Sequence, residues 1–322
     1  MAHITSSEYH SGPGISKSML DAIAISPLYY WDLHVNPKRQ PREYKHCFSI
    51  GDGTHKLVLE PGTFENTYAV DFDKSEHPDA LDTIADLKKA CGDMGLPISG
   101  SKPELVERLI GEADFPAERI MFKLEQSHRE TMTERIPIKA REYRDMLSSL
   151  EKIDTDPIAS SLIRGGAIEQ SFFWTDERGI LRKCRPDIVT SNGQCIVDLK
   201  TTDDVSPKGF GKTIVNRRYH VQAAWYLDVM TGLYGHDAPQ AFVFIAAQKT
   251  RPYDVGVLYL TPDQIELGRQ TYREDLDRLV ECMKDDVWPG ATGGKLVEAV
   301  LPDWAMRKIS AALSLGENYV SH

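Results

Sequence analysis

Residues 184–202 read CRPDIVTSNGQCIVDLKTT, and the fold is decided there. Two apolar runs, one around Ile188 and Val189 and one from Cys195 to Leu199, flank Ser191-Asn192-Gly193. Asn-Gly is a strong hairpin signal because both residues tolerate positive φ. The pattern predicts an antiparallel pair, with Asp187 at the end of one strand and Asp198 on the next. Lys200 stands two residues beyond Asp198, and alternation along a strand puts its ammonium on the same face as that carboxylate. Two carboxylates meeting beside a cation suit magnesium, which takes hard oxygen ligands and keeps positions open for a phosphate. Lys200 would then steady a hydroxide or the developing charge of a phosphorane. The competing reading is a pair of surface acids bonded to Arg182, Arg185 or Lys200. It leaves unexplained why each acid abuts Ile and Val.

Working outward, AIEQSFFW (167–174) predicts a preceding strand carrying Glu169, and Glu177-Arg178-Gly179 a turn into one continuous strand, ILRKCRPDIVT (180–190). Downstream, one helix is expected over 214–232, strands at AFVFIAAQ (241–248) and DVGVLYL (254–260), and a long helix capped at Thr261. Upstream, residues 14–34 carry Ser16 and Ser18 as candidate caps, Ser18 with Asp21 three residues on, and a break at Pro27. CFSIGDGTHKLVLEP (47–61) reads as a helix whose Gly51 and Gly53 permit close packing, and 120–153 as a helical stretch interrupted at Pro137. Helices around a central mixed sheet, an α/β or α+β fold, follow from this order. Residues 79–117 stand apart as an insert between two parts of one domain, 1–78 and 118–322.

The net charge of −10 argues against a protein that coats nucleic acid indiscriminately. Charge is uneven, however: from Arg178 to His220 there are nine Lys or Arg against four Asp, so the hairpin lies in a basic stretch of an acidic chain. A solvated loop is the ordinary meaning of such a run. The alternative is a groove for a polyanion, with Lys208, Lys212, Arg217 and Arg218 contacting phosphates. Five cysteines, an odd number without C-x-x-C spacing, read as reduced thiols and weigh against a zinc or iron–sulfur site. With no apolar run of membrane-span length and no signal-peptide pattern at the N-terminus, the expected location is cytoplasmic.

The insert predicts two short amphipathic helices, the first built on Ile84, Leu87, Ala90, Cys91 and Met94 and the second on Leu105, Val106 and Leu109. GLPISGSKPELVERL (95–109) resembles the SAP motif, a helix–loop–helix module associated with DNA binding, through Gly95-Leu96, Gly100, Lys102, Leu105 and Arg108-Leu109. That resemblance implies DNA contacts at Lys102 and Arg108. Its net acidic composition leaves a helical hairpin for packing or for a protein partner as the other reading.

Pro-Asp187, ten residues, then Asp198-x-Lys200 resembles the PD-(D/E)xK nuclease signature in its Asp form. Gln222-x-x-x-Tyr226 places an amide and a phenol on one helix face and resembles the motif that follows the lysine in RecB-like and λ-exonuclease-like members. Alone, that pair would be ordinary helix surface, and His55 alone a satisfied buried histidine. Yet GDGTHKLVLEP (51–61), CRPDIV, IVDLKTT and YHVQAAWY, in that order, resemble RecE, the exodeoxyribonuclease VIII family of phage and prophage recombination. YHSGPGISKSMLD (9–21) and the late WP with LPDWA (288–305) agree with it. The resemblance implies a magnesium ion, or manganese, held by His55, Asp187, Asp198 and the Leu199 carbonyl. Lys200 would assist the attacking water, Gln222 and Tyr226 would orient Lys200 or a substrate phosphate, and Glu169 would ligate a second ion. It further implies ATP-independent 5′-to-3′ degradation of one strand of linear duplex DNA by a ring-shaped tetramer in the bacterial host, with a RecT-like single-strand annealing partner. A site- or structure-specific endonuclease on the same core, and a DNA-binding module with an inactive site, are the rivals.

Overall fold

The hairpin forms, and it lies inside a five-stranded mixed sheet. The structure, a computed structural model, describes residues 4–39, 46–132, 135–302 and 306–307, with side chains of its first long helix described from residue 50. Residues 40–45 of the basic loop, 303–305 of the late motif and the Cys47 side chain lie outside that set. Contacts divide the chain into two compact units, residues 1–16 with 41–271 and residues 17–40 with 272–322.

The elements run α1 (Ser6–Ser11), α2 (Lys17–Ile25), α3 (Pro27–His34), α4 (His46–Leu59), α5 (Pro61–Thr67), β1 (Tyr68–Val70), α6 (Ile84–Asp93), α7 (Lys102–Ile110) and α8 (Met121–Thr131). There follow β2 (Ile136–Ile138), α9 (Ala140–Thr155), α10 (Pro157–Ile163), β3 (Ala167–Ile168), β4 (Phe172–Thr175), β5 (Leu181–Cys184), β6 (Ile188–Val189) and β7 (Cys195–Thr202). The chain then makes α11 (Pro207–Asn216), α12 (Tyr219–Tyr234), β8 (Ala241–Gln248), β9 (Val255–Tyr259) and α13 (Pro262–Asp285).

The main sheet has the order β3-β6-β7-β8-β9, with β7 and β8 parallel and the other pairs antiparallel. A parallel pair needs a long crossover, and α11 and α12 supply it. Alternation along β7 sorts its side chains. Val197 and Leu199 join Leu59, Ile153, Ala159, Ile188, Ile245 and Ala247 in the core beneath α4, α9 and α10. Asp198 and Lys200 belong to the other set, toward α12. Gly53 of α4 is needed there: a Cβ would stand 3.1 Å from the Met146 sulfur. Gly51 is not, since its Cβ would meet only Thr201 at an ordinary 3.6 Å.

Several expected elements change. ILRKCRPDIVT is two strands: β5 pairs with β4 in a separate two-stranded sheet, and β6 enters the main sheet. Arg185-Pro186 is the break, because proline brings no N–H to a ladder. AIEQSFFW divides likewise into β3 and β4, with Glu169 at φ 51 between them. The helix over 214–232 is α11 and α12, parted where Arg218 adopts φ 56. Pro137 does interrupt the 120–153 stretch, but as the middle of β2, which pairs parallel with β1. In the hairpin turn only Gly193 has positive φ. Asn192 contributes its side chain instead, Oδ1 accepting from the Thr190 hydroxyl (2.7 Å) and the Gln194 amide (3.1 Å).

In the insert α6 and α7 close on a core of their own, formed by Leu87, Cys91, Leu105, Val106 and Leu109 with Phe115 and Ile120, and a Leu81–Ile120 bridge ties its ends. Ile84 and Met94, expected in that core, are exposed. In the second unit α2 starts at Lys17, so Ser18 lies inside it rather than capping it, and Tyr30 stacks on Trp288 at 5.5 Å. Cys91, Cys184, Cys195 and Cys282 are free thiols. Among the described residues no helix is long and apolar enough to cross a membrane.

Two buried cation contacts brace the small sheet. The Lys183 ammonium, without a carboxylate in contact, donates to the carbonyls of Tyr9 (2.8 Å) and Gly12 (2.7 Å) and so ties α1 down. Arg182 lies between Trp174 and Trp225 and donates to Asp176 Oδ2 at 2.5 Å. Burial pushes the Asp176 carboxyl up, but the Ile180 amide and then Arg182 outweigh it and hold the pKa below 3.8. Its stability contribution is therefore complete above about pH 4 and is lost as pH falls through the lower folded value. Asp176→Asn is expected to cost roughly 2 kcal/mol at pH 7. In urea melts at several pH values, the gap to the native chain should close below about pH 4.

Candidate active site

Where Arg185-Pro186 turns the chain out of β5, Asp187 arrives at the open end of β6, opposite Asp198. Glu169 reaches the same point from β3, its amide donating to the Asp187 carbonyl at 2.9 Å. Asp187 turns its carboxylate inward, and Oδ2 accepts from the Leu199 amide at 2.7 Å. From the opposite side α4 brings His55. Its Nε2 lies 2.8 Å from Asp187 Oδ2 and 3.2 Å from the Leu199 carbonyl oxygen, and its Nδ1 lies 3.6 Å from Glu169 Oε1. One ligand atom from each of His55, Glu169 and Asp187 falls within 4.8 Å of the others.

Asp198 and Lys200 form the adjoining half. Asp198 is completely buried, with Oδ1 accepting from the Gln222 amide at 2.6 Å and Oδ2 2.5 Å from the Lys200 ammonium. That ammonium is close enough for an ion pair but out of hydrogen-bond alignment, so Oδ2 is a buried oxygen lacking a proper donor. Lys200 also lies over the Tyr219 ring, 4.9 Å from its centre, a contact that favours the cation. Burial opposes charge on Lys200, yet Asp198 and then Asp187 keep its pKa above the usual lysine range. Burial pushes the Asp198 carboxyl up, with Lys200 opposing. At His55 burial again disfavours charge, but Asp187 and Glu169 outweigh it and raise the ring pKa. Asp187 is lowered in spite of its burial, chiefly by His55.

Two carboxylates, a carbonyl and one imidazole are a donor set for a hard divalent cation such as magnesium or manganese. The misaligned buried Asp198 oxygen fits the same need. The residues therefore suit such an ion, with His55, Asp187, Glu169 and Leu199 O as its holders and Asp198 beside them.

The expected grouping is altered in detail. Asp198 stands outside the three-residue cluster, because alternation directs it toward α12, and Glu169 lies within that cluster rather than at a separate second-ion position. Gln222 orients Asp198 rather than Lys200 or a phosphate. Tyr226 packs edge-on against Phe242 at 6.3 Å, and burial holds its phenol protonated. Lys208, Lys212 and Arg217 are exposed and Arg218 half-buried along the α11 side of the site. In the insert, Lys102 pairs with Asp82 at 3.1 Å, and Arg108 donates to the carbonyls of Ser99 (3.0 Å) and Pro97, so both close the module on itself.

Arg185 and Tyr219 carry roles that sequence reasoning did not assign. Arg185 Nε donates to Glu169 Oε2 at 2.7 Å, and its other arm reaches the Ser171 hydroxyl (2.8 Å) and the Ile4 carbonyl (3.3 Å). Its place inside Arg-Pro-Asp was the available signal. No spacing pointed to Tyr219. Because Arg185 aims one ligand of the cluster, Arg185→Ala is expected to weaken manganese binding by about 10- to 100-fold, measured by calorimetry, while leaving the fold intact.

The fold and this cluster define a PD-(D/E)xK-type core. Residues 16–296 match the family described as PDDEXK-like domain of unknown function (DUF3799), and the chain belongs to that family. Among solved structures it is similar to a protein of Eubacterium rectale provisionally described as an exonuclease, with a TM-score of 0.58 and 13% identity over 95% of this chain and 98% of that one. No curated protein matches.

Proposed function

We propose that the protein is a metal-dependent exodeoxyribonuclease that degrades one strand of linear double-stranded DNA, 5′ to 3′ and without ATP, leaving single-strand overhangs for recombination of the phage type. The observation that carries the reading is the convergence of His55, Glu169 and Asp187 beside the buried Asp198–Lys200 pair, in a chain of the PDDEXK-like family. Strand polarity, a ring-shaped tetramer and a single-strand annealing partner rest on the likeness to RecE.

A divalent cation held by the cluster supplies polarisation of the scissile phosphate and a lowered pKa for a water. Lys200, kept charged by Asp198 and Asp187, holds the attacking water and steadies negative charge on the phosphoryl oxygens. Gln222 fixes Asp198, and through it the ammonium; Arg185 fixes Glu169. Water forms the new P–O bond as the bond to the leaving 3′ oxygen breaks.

Linear duplex labelled at either the 5′ or the 3′ end, and closed circular plasmid, are the substrates that test this. With magnesium, mononucleotide release from the 5′-labelled end and an intact circle are expected. Cutting of the circle would establish an endonuclease, and binding without turnover an inactive module. Deletion of residues 82–115, whose ends the Leu81–Ile120 bridge holds together, is expected to lower DNA affinity or processivity while cleavage survives. Identical DNA handling by the deletion variant would assign the insert to packing or to a protein partner.

A further inference from the structure

The first unit holds a second polar cavity, of about 600 Å3, that the nuclease reading does not use. α9 and the β8–β9 turn enclose it, contributing Arg141, Arg144 and Ser148 from the helix and Thr250 and Arg251 from the turn. Arg144 is shared with Asp73 and Glu76. Asp145, the acid in the lining, accepts from the Tyr253 hydroxyl at 2.5 Å. Arg141 and Arg251 have no carboxylate within ion-pair distance among the described residues. Two guanidinium groups therefore face a cavity whose one acid is already engaged. Tyr253 is at φ 59, an unfavourable region for an aromatic residue. Its hydroxyl bond to Asp145 and its amide bond to the Thr250 carbonyl (2.9 Å) hold it there, and strain held in this way gathers at ligand clamps.

The cavity lies near the catalytic lysine along the sheet. Ser149 Oγ of α9 donates to the Gln248 carbonyl, and Gln248 is paired with Thr202, two residues beyond Lys200. At about 3.3 Å per strand residue and about 4.8 Å between strands, the turn begins within about 15 Å of Lys200, the rise of roughly four nucleotides.

We propose that this cavity is a subsite for a backbone phosphate of the nucleic-acid strand, a few nucleotides from the bond cut beside Lys200. Arg141 and Arg251 grip the phosphate, and the Ser148 and Thr250 hydroxyls complete the cradle. The inference deepens the nuclease reading and rests on it.

The test is the full chain with Arg141→Gln/Arg251→Gln, its fold checked by thermal melting, bound to a labelled linear duplex in calcium over a salt series. Affinity is expected to fall 10- to 100-fold, and the slope of log K against log salt to drop by about 2, one for each guanidinium charge removed from the phosphate. Arg141→Lys/Arg251→Lys should restore most of the slope. Unchanged affinity and slope in the glutamine variant would overturn the subsite. So would titration with inorganic phosphate that reveals binding abolished in that variant while duplex affinity stays the same, since the cavity would then serve a free oxyanion. Because calcium binding is read without turnover, a native chain that fails to cut DNA in magnesium overturns the nuclease reading separately.

Discussion

Lys200→Ala is expected to slow magnesium-dependent phosphodiester hydrolysis by about 1000-fold. The ammonium is a fixed cation in a buried setting, held 2.5 Å from Asp198 and over the Tyr219 ring. There it is worth far more to a developing charge than the same group in water. Its removal leaves Asp198 fully buried without its partner, and burial already pushes that carboxyl up, so it should take a proton rather than unfold the sheet. The variant should accordingly melt as a folded protein and still bind duplex DNA. Initial rates on linear duplex, with melting curves, check this. A rate within tenfold of the native chain would move the attacking water away from Lys200.

Asp187→Asn is expected to weaken manganese binding on the order of 100-fold or more, and activity should fall with it. Its Oδ2 is the atom on which the site converges, 2.8 Å from His55 Nε2 and accepting from the Leu199 amide. An amide keeps the shape but gives up the charge a divalent ion needs. Glu169→Gln should lose less, since that carboxylate stands farther from His55, at 3.6 Å, and is already shared with Arg185. Calorimetric titration with manganese orders the two, and equal affinity in all three proteins would place the ion elsewhere.

The catalytic half of the fold was largely legible. Asn-Gly between two apolar runs marked the hairpin, AFVFIAAQ marked β8 residue for residue, and Asp187, Asp198 and Lys200 stood out because polar groups rarely sit among Ile and Val without a use. What was misread shares one cause. The 180–190 run is uniformly strand-like, and nothing local says that Arg185-Pro186 hands it from one sheet to another. Arg218 likewise parts two helices by adopting a left-handed conformation that residue type does not announce. Gln222 was singled out, but whether its amide would meet Lys200, a phosphate or Asp198 depends on how far α12 is rotated over β7.

The amino-acid order by itself determined the mixed sheet, the hairpin and the residues of the site, because periodicity and turn chemistry act between neighbours in the chain. Tertiary structure alone decided which of those residues share a ligand position. His55 comes from α4 and Glu169 from a kink, and strand alternation carries Asp198 toward α12, so their grouping depends on how helices pack across two faces of one sheet. Arg185 and the arginine-lined cavity were settled at the same level, where side chains distant in sequence meet only after the core has closed.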